Sequence, residues 1–412
     1  MLGKRFIYLL ASVSALSQGA TADISDDVRV WLDLRAAYSE SGREWLDGGL
    51  SKTRYGSSDA TGYDAEIADL SVLWTPTLSA NLSAHLHLQA GPDQSVDAGI
   101  VEGFLRYRIL PIEGWRLSAK AGRFFPPISL EHDGPGWSLR RTLTPSAINS
   151  WIGEEVAVVG AEARASKRFG DHIVDFRGAA FGYNDTAGAL LAFRGWALHD
   201  VKSAFNGNFA LPNVGASNPE LIDQSSVTEP SRELDDKIGY YGFAKWRYAD
   251  QTEISGLVYD NLADPLVLEN GQYGWATRFV NVGVRHHLTD TIELIGQAML
   301  GETQMGPRMW LNSTRAVDNE FGSVFLMGSW HASDEDIVSG RIERFSVSDR
   351  TMQQDFSDES GWSVTTAWRR ALSQHVEVGA ELIYLDHDRP IDPLSGDQTG
   401  GVQAQWMLRL NF

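Results

Sequence analysis

The 412-residue chain contains no cysteine. That excludes disulfides, cysteine-ligated metals and thiol nucleophiles. Beyond residue 22 there is also no run of about 18 apolar residues, which excludes a transmembrane helix. Basic residues are in deficit: 35 Lys and Arg stand against 54 Asp and Glu, a formal charge of −19. A nucleic-acid partner, which needs a basic face, is therefore not expected. Neither a G-x-S-x-G elbow nor an H-E-x-x-H helix occurs, so catalysis is not expected and no cofactor is implied. No composition break divides the chain, although its length would accommodate two or more soluble domains.

The first residues read as a secretory signal spanning 1–22. Lys4 and Arg5 form its positive start, Phe6 to Leu16 its apolar core, and Ala20-Thr21-Ala22 a small-residue cleavage site. Loss of Lys4 and Arg5 takes the charge of the mature part, 23–412, from −19 to −21. An exported chain of this length without disulfides must be held together by other means, and a closed ladder of backbone hydrogen bonds suffices. The mean hydropathy of −0.23 is compatible with that, because a barrel strand needs only alternate residues to be apolar.

Alternation is what the chain has in quantity. In the last stretch Val402, Ala404, Trp406, Leu408, Leu410 and Phe412 share one parity, against Gln403, Gln405, Met407, Arg409 and Asn411. Leu82, Ala84, Leu86, Leu88 and Ala90 oppose Asn81, Ser83, His85, His87 and Gln89 in the same way. His85 and His87 could begin a metal site, but no third ligand of comparable quality lies nearby, so they read as polar wall. Similar strands are expected at about 28–38, 65–75, 98–109, 115–124, 155–167, 172–183, 238–248, 252–261, 273–287, 291–302, 320–331, 336–347, 360–371 and 375–386. Short turns fall near 76, 112, 169, 250, 289, 333 and 373. Seven such turns, with both chain ends on the same side, imply an all-β, single antiparallel transmembrane barrel of about 16 strands. Trp115, Trp246, Trp330, Trp368 and Trp406 sit on the apolar parity, where interfacial aromatics belong. On this count 125–154 is the third outer loop, and 184–237 is one long outer loop with Ala187 to Leu198 folded inside it.

A chain ending on a strand whose final residue is Phe412 resembles the closing strand of bacterial outer-membrane barrels. The run Gly122-Arg123-Phe124-Phe125-Pro126-Pro127-Ile128-Ser129-Leu130-Glu131, with Thr144 to Asn149 and Trp151-Ile152-Gly153-Glu154-Glu155, is similar to sixteen-stranded diffusion porins, and most of all to their phosphate-selective O/P-like group. The resemblance implies a passive, water-filled channel in the outer membrane of a Gram-negative cell, for small hydrophilic solutes and ions. It also implies an inward-folded third loop, contact with lipid and lipopolysaccharide, and a homotrimer. From the residues themselves, Arg106, Arg108, Arg116 and Lys120 share the lumen parity of two neighbouring strands. With Arg140 and Arg141 of the loop they would form the basic side of a constriction, and Glu131 and Asp133 the acidic side, giving a mild anion preference. The alternative is an adhesin or ligand-binding barrel acting through its long loops.

Overall fold

The computed structural model describes residues 27–40, 51–56, 62–91, 98–211, 223–308, 314–351, 357–389 and 400–412. The signal read at 1–22 lies outside the described residues. Sixteen antiparallel strands close into one barrel. In chain order they are β1 (Val28–Ser39), β2 (Gly62–Trp74), β3 (Leu82–Ala90), β4 (Gly99–Ile112), β5 (Trp115–Phe124), β6 (Val158–Phe169), β7 (His172–Gly182) and β8 (Gly239–Tyr248). The second half comprises β9 (Thr252–Asp260), β10 (Ala276–His287), β11 (Ile292–Arg308), β12 (Arg315–His331), β13 (Asp336–Asp349), β14 (Glu359–Ser373), β15 (Val376–Asp388) and β16 (Gly400–Asn411). Each strand pairs with its barrel neighbours in sequence, and β16 pairs with β1, so no edge is left to template aggregation.

Seven short connections lie at one end and the long ones at the other. One of the tightest is Glu113-Gly114, where both residues have positive φ (50° and 80°), as a type I′ two-residue hairpin turn requires. Several expected strand bounds move. Residues 147–155 form helix α1 (Ala147–Glu155), so β6 begins at Val158 rather than 155. Gln272–Tyr273 pairs with Leu268–Glu269 in a separate ribbon, so β10 begins at Ala276. β11 and β12 each run to 17 residues, longer than the 9–11 that cross a membrane, and carry the wall beyond it on the long-loop side.

Period-two alternation sets which side chains meet lipid. On β8, Tyr240, Ala244, Trp246 and Tyr248 are exposed on the outer face, while Tyr241, Phe243 and Lys245 turn inward. Trp330, Val338, Trp368, Ala380, Trp406 and Ala36 are successive cross-strand partners, so three of the expected interfacial Trp residues stand in one row around the wall. One parity expectation fails. Strict alternation with Gly103 and Leu105 would set Val101 on the outer face, yet it is 0% exposed inside. The register skips between His87↔Glu102 and Leu88↔Ile100, and this bulge at Val101 swaps the faces above it.

Gly122 launches the third outer loop. Its φ is +135°, and a Cβ there would lie 2.2 Å from the Gly103 carbonyl oxygen on β4. Gly122→Ala is therefore expected to cost at least about 1–3 kcal/mol, lowering the temperature at which the compact band on unboiled SDS gels is lost. Gly178 is the control, since a Cβ there meets nothing within 4 Å. Equal midpoints for the two variants would refute the argument.

Candidate functional site

The β5–β6 connection, 125–157, turns into the barrel and crosses to the opposite wall. It is held there by lumen-facing polar residues on successive strands. From β10, Arg285 donates to the Leu130 carbonyl; from β11, Glu293 accepts from Arg141. From β14, Arg369 donates to the carbonyls of Leu139 and Thr142. On β15, Glu381 accepts from the backbone N–H groups of Leu143 and Thr144, and on β16 Gln405 donates to the Thr144 hydroxyl. Loop carbonyls and N–H groups that face no water are thereby satisfied.

The start of α1 is the densest of these contacts. Ser146 caps the helix, accepting from the Asn149 N–H, and donates from N and Oγ to Glu131. The Ala147 N–H donates to Glu343 of β13 at 2.8 Å. Two carboxylates thus face the positive end of the helix dipole. Arg341 bridges them, with Nη1 2.9 Å from Glu131 and Nε 3.0 Å from Glu343, and also donates to the Thr144 and Pro145 carbonyls.

A second segment enters as well. Residues 183–238 connect β7 to β8, and α2 (Ala189–Phe193) packs against α1 and the wall. Trp151 of α1 meets Trp196 at 6.1 Å, Phe279 at 5.4 Å and Phe321 at 5.2 Å between ring centroids. Residues 141–158 and 184–199 are buried without exception. Inward-facing Phe181, Tyr241, Tyr259, Phe279, Phe321 and Phe345 complete an apolar core, each ring contributing roughly 1.5–3 kcal/mol through burial. The interior expected to be water-filled is, at this level, packed protein.

Beside the third loop lies a polar pocket of ≈ 30 Å³, lined by Arg35, Arg54, Lys202, Arg369 and Arg409, with Asp33, Asp69 and Asp200 among the acids. That is room for about two waters. Asp200 joins Arg54 at 2.7 Å to Arg35 at 3.1 Å, and Asp33 takes both Nε and Nη2 of Arg409 at 2.6 Å.

The residues singled out from sequence separate into two places. Arg106, Arg108, Arg116 and Lys120 do face the lumen, but toward the short-turn end, below the loop. The Arg106 guanidinium lies 5.3 Å from the Phe104 ring centroid, and Lys120 sits 3.6 Å from Glu162 and 3.9 Å from the Phe124 ring. Arg108 and Arg116 are exposed within this vestibule, and among the described residues neither has an acidic partner. Glu131 is 2% exposed and serves the helix cap rather than lining a path. Asp133 pairs with Arg141 at 2.9 Å and Arg285 at 3.2 Å, Arg141 is buried, and Arg140 is exposed. Of the two expected sides of one constriction, Arg141 and Asp133 meet in the loop, whereas on the basic strip of β4 and β5 Lys120 pairs elsewhere. Within the loop, Phe125 stacks on Trp137 at 4.1 Å, and Trp137 on His132 at 3.6 Å. His85 faces Glu102 at 3.5 Å and His87 bonds Ser71, so each histidine has a partner other than a metal.

The pocket residues escaped sequence reasoning although a signal existed. Asp33, Arg35 and Arg409 stand on the polar parity of the first and last strands, which closure makes neighbours through Asp33↔Arg409. Arg341 and Glu343, two inward charges at i and i+2 on one strand, were a second such signal.

Two glutamates end α1 in contrasting states. Burial alone would raise Glu154, but Arg194, bonded at 2.7 and 2.8 Å, and His199 bring it down to about 2. Burial pushes Glu155 up to about 7 from an ordinary 4.5, against the N–H groups of Leu190 and Gly188 and the Trp151 indole. Because the folded value is the higher, the contribution of Glu155 is fully present below pH 4.5 and is lost as pH rises through about 7. Its span is roughly 3 kcal/mol. Glu155→Gln is expected to flatten that part of the decline in thermal midpoint between about pH 5 and pH 8. Identical slopes for the variant and the parent would rule out this assignment.

No protein-family model and no curated protein sequence matches the chain. Solved structures do resemble it. The outer-membrane channel DcaP of Acinetobacter baumannii superposes with a TM-score of 0.53 at 10% identity, over 93% of this chain and 96% of that one. The anion-selective porin from Comamonas acidovorans gives 0.50 at 12% identity, over 93% and 98%. A loop L8 deletion mutant of OmpT, an outer membrane protein of Vibrio cholerae, gives 0.50 at 9% identity, over 94% and 98%. At such identities the likeness is one of fold: this chain has the sixteen-stranded barrel found in outer-membrane porins.

Proposed function

We propose that the protein is an outer-membrane porin, a passive channel for small hydrophilic solutes and ions with a mild anion preference. The observation that carries this reading is the third outer loop, which folds into a closed sixteen-stranded barrel and is bonded across the lumen to the opposite wall, leaving a charged pocket at its side. A barrel of this strand number has an interior wide enough for water, and an inward loop narrows it to a selective passage. Five cationic side chains, Arg35, Arg54, Lys202, Arg369 and Arg409, outnumber the acids Asp33, Asp69 and Asp200 around that pocket. Below it, Arg106, Arg108 and Arg116 add positive charge at the short-turn mouth. An anion thus meets a favourable potential at both levels, although the whole chain carries −19. No step makes or breaks a bond, and no cofactor has a role. A relative of the same fold is described as an anion-selective porin, which agrees with this reading.

Planar-bilayer conductance, with the reversal potential measured under a salt gradient, tests it. Stable ohmic steps and an anion-selective sign are expected; silence from folded protein would sink the channel and favour a binding barrel. Each vestibule guanidinium about 8 Å from a passing ion contributes about 0.5 kcal/mol in water-like surroundings, and salt roughly halves that. Each charge favours an anion and disfavours a cation equally, so neutralising Arg106 and Arg108 together is expected to lower the anion-to-cation permeability ratio by about fivefold. An unchanged ratio would show that the vestibule does not set selectivity.

A further inference from the structure

The lipid face of the wall is mostly apolar, and β13 departs from that with a bare charge. Its outward parity reads Val338, Gly340, Ile342, Arg344, Ser346 and Ser348, and Arg344 is exposed there. The cross-strand partners of Arg344, Val324 of β12 and Trp362 of β14, are exposed on the same face. Other outward arginines are neutralised within the protein: Arg278 lies 2.7 Å from Glu302, and Arg370 lies 3.5 Å from Asp336. Among the described residues Arg344 has no acidic partner. Asp386, two strands away, accepts from the Trp362 indole, and Glu320 pairs with Arg350.

Depth decides what such a charge can meet. β13 starts at the short-turn end with Asp336, and Arg344 is its ninth residue, where a strand of 9–11 residues completes its crossing. The ring of Trp362 lies 5.3 Å from that of Tyr384, an aromatic pair of the kind that marks the interface. A lipid-facing arginine is tolerated at that depth rather than at the midplane, and its guanidinium still needs acceptors. On the lipid side, headgroup phosphates supply them, and the planar fork of arginine fits a phosphate in two-pronged fashion.

The wall is cut back beside this charge. Ser346 stands between Gly322 of β12 and Ser360 of β14, and among the described residues neither hydroxyl has a partner. Leu300 closes one side of the notch, since a Cβ on Gly322 would lie 2.9 Å from its Cδ2. Beyond Leu300 a groove of ≈ 580 Å³ runs over the outer face across Val280, Val258 and Tyr240. A cation, two hydroxyls and an apolar groove in continuity match an amphiphile with a phosphorylated, hydroxyl-rich head.

We propose that Arg344, Ser346 and Ser360 bind a phosphate-bearing headgroup of an outer-leaflet glycolipid, whose hydrocarbon lies along the groove toward Tyr240. The site needs the barrel to stand in an outer membrane, and it does not depend on whether the barrel conducts.

Native mass spectrometry of the detergent-solubilised protein, titrated with bisphosphorylated lipid A, tests this. The parent is compared with Arg344→Gln and with Arg370→Gln, which removes an outward arginine at the opposite rim. One tightly retained lipid is expected in the parent and in Arg370→Gln. Retention in Arg344→Gln is expected to be about tenfold weaker, the worth of one charge-assisted pair. Dephosphorylated lipid A is expected to bind the parent no better than it binds Arg344→Gln, and inorganic phosphate to leave the bound lipid in place. Equal retention by all three folded proteins, or equal loss in both variants, overturns the site. Displacement by inorganic phosphate overturns the lipid as its occupant. Conductance alone decides the channel, so the two readings fail separately.

Discussion

Everything in this molecule follows from the pairing of β1 with β16. Lipid supplies no partners for backbone N–H and C=O groups, so a sheet in a membrane must close on itself. Here Trp31 to Ser39 register against Asn411 to Gln403, and the seam is reinforced on its inner face by Arg409 with Asp33 and by Arg35 with Gln405. Once the cylinder is closed, parity is no longer a local property. It assigns every strand residue to lipid or lumen, and it makes the chain's first and last polar faces adjacent. The charged pocket is built on that seam.

Strand number and the lipid face were legible because the outer wall obeys a single rule along its whole length. Residues such as Trp246, Val258, Leu300 and Trp406 must be apolar whatever lies inside. The bulge at Val101 was not legible, since one added residue leaves no trace in a pattern that resumes in the opposite phase. The filled interior was missed for a different reason. Alternation says which residues face inward but not what they meet there. The clue lay in stretches near the long-loop end where both parities are apolar or aromatic, as in Tyr240-Tyr241, Val258-Tyr259 and Phe279-Val280. A strand that is greasy on both sides has protein on both sides, or protein within and lipid without.

Long-range partners were the least legible part of the site. Glu131 and Asp133 looked like path-lining acids because a loop in an aqueous pore should present its charges to solvent. In the folded protein the loop is inside a protein core, and its charges are matched to the wall. Glu131 finds Arg341, 210 residues away, and Arg141 finds Glu293, 152 away. Nothing in local spacing announces such pairs. The basic residues of β4 and β5 depend on parity alone, which alternation along each strand reports. Their distance from the loop depends on how far it descends, and that is set by α1 and its caps.

The anchoring of the third loop also carries a consequence for biogenesis. The loop lies between β5 and β6, yet its fixing points are on β10, β11 and β13 to β16. The Leu143 N–H meets Glu381 238 residues later, and Gln405 reaches back 261 residues to Thr144. Hairpins can add to the growing sheet in order while the interior is still unformed. The core inside the bore condenses only after the C-terminal strands arrive. An assembling barrel therefore passes through a stage with its wall in place and its centre wet. Substitutions among these interior bonds alter how long the finished molecule stays compact, while the rate of strand addition is left to the wall.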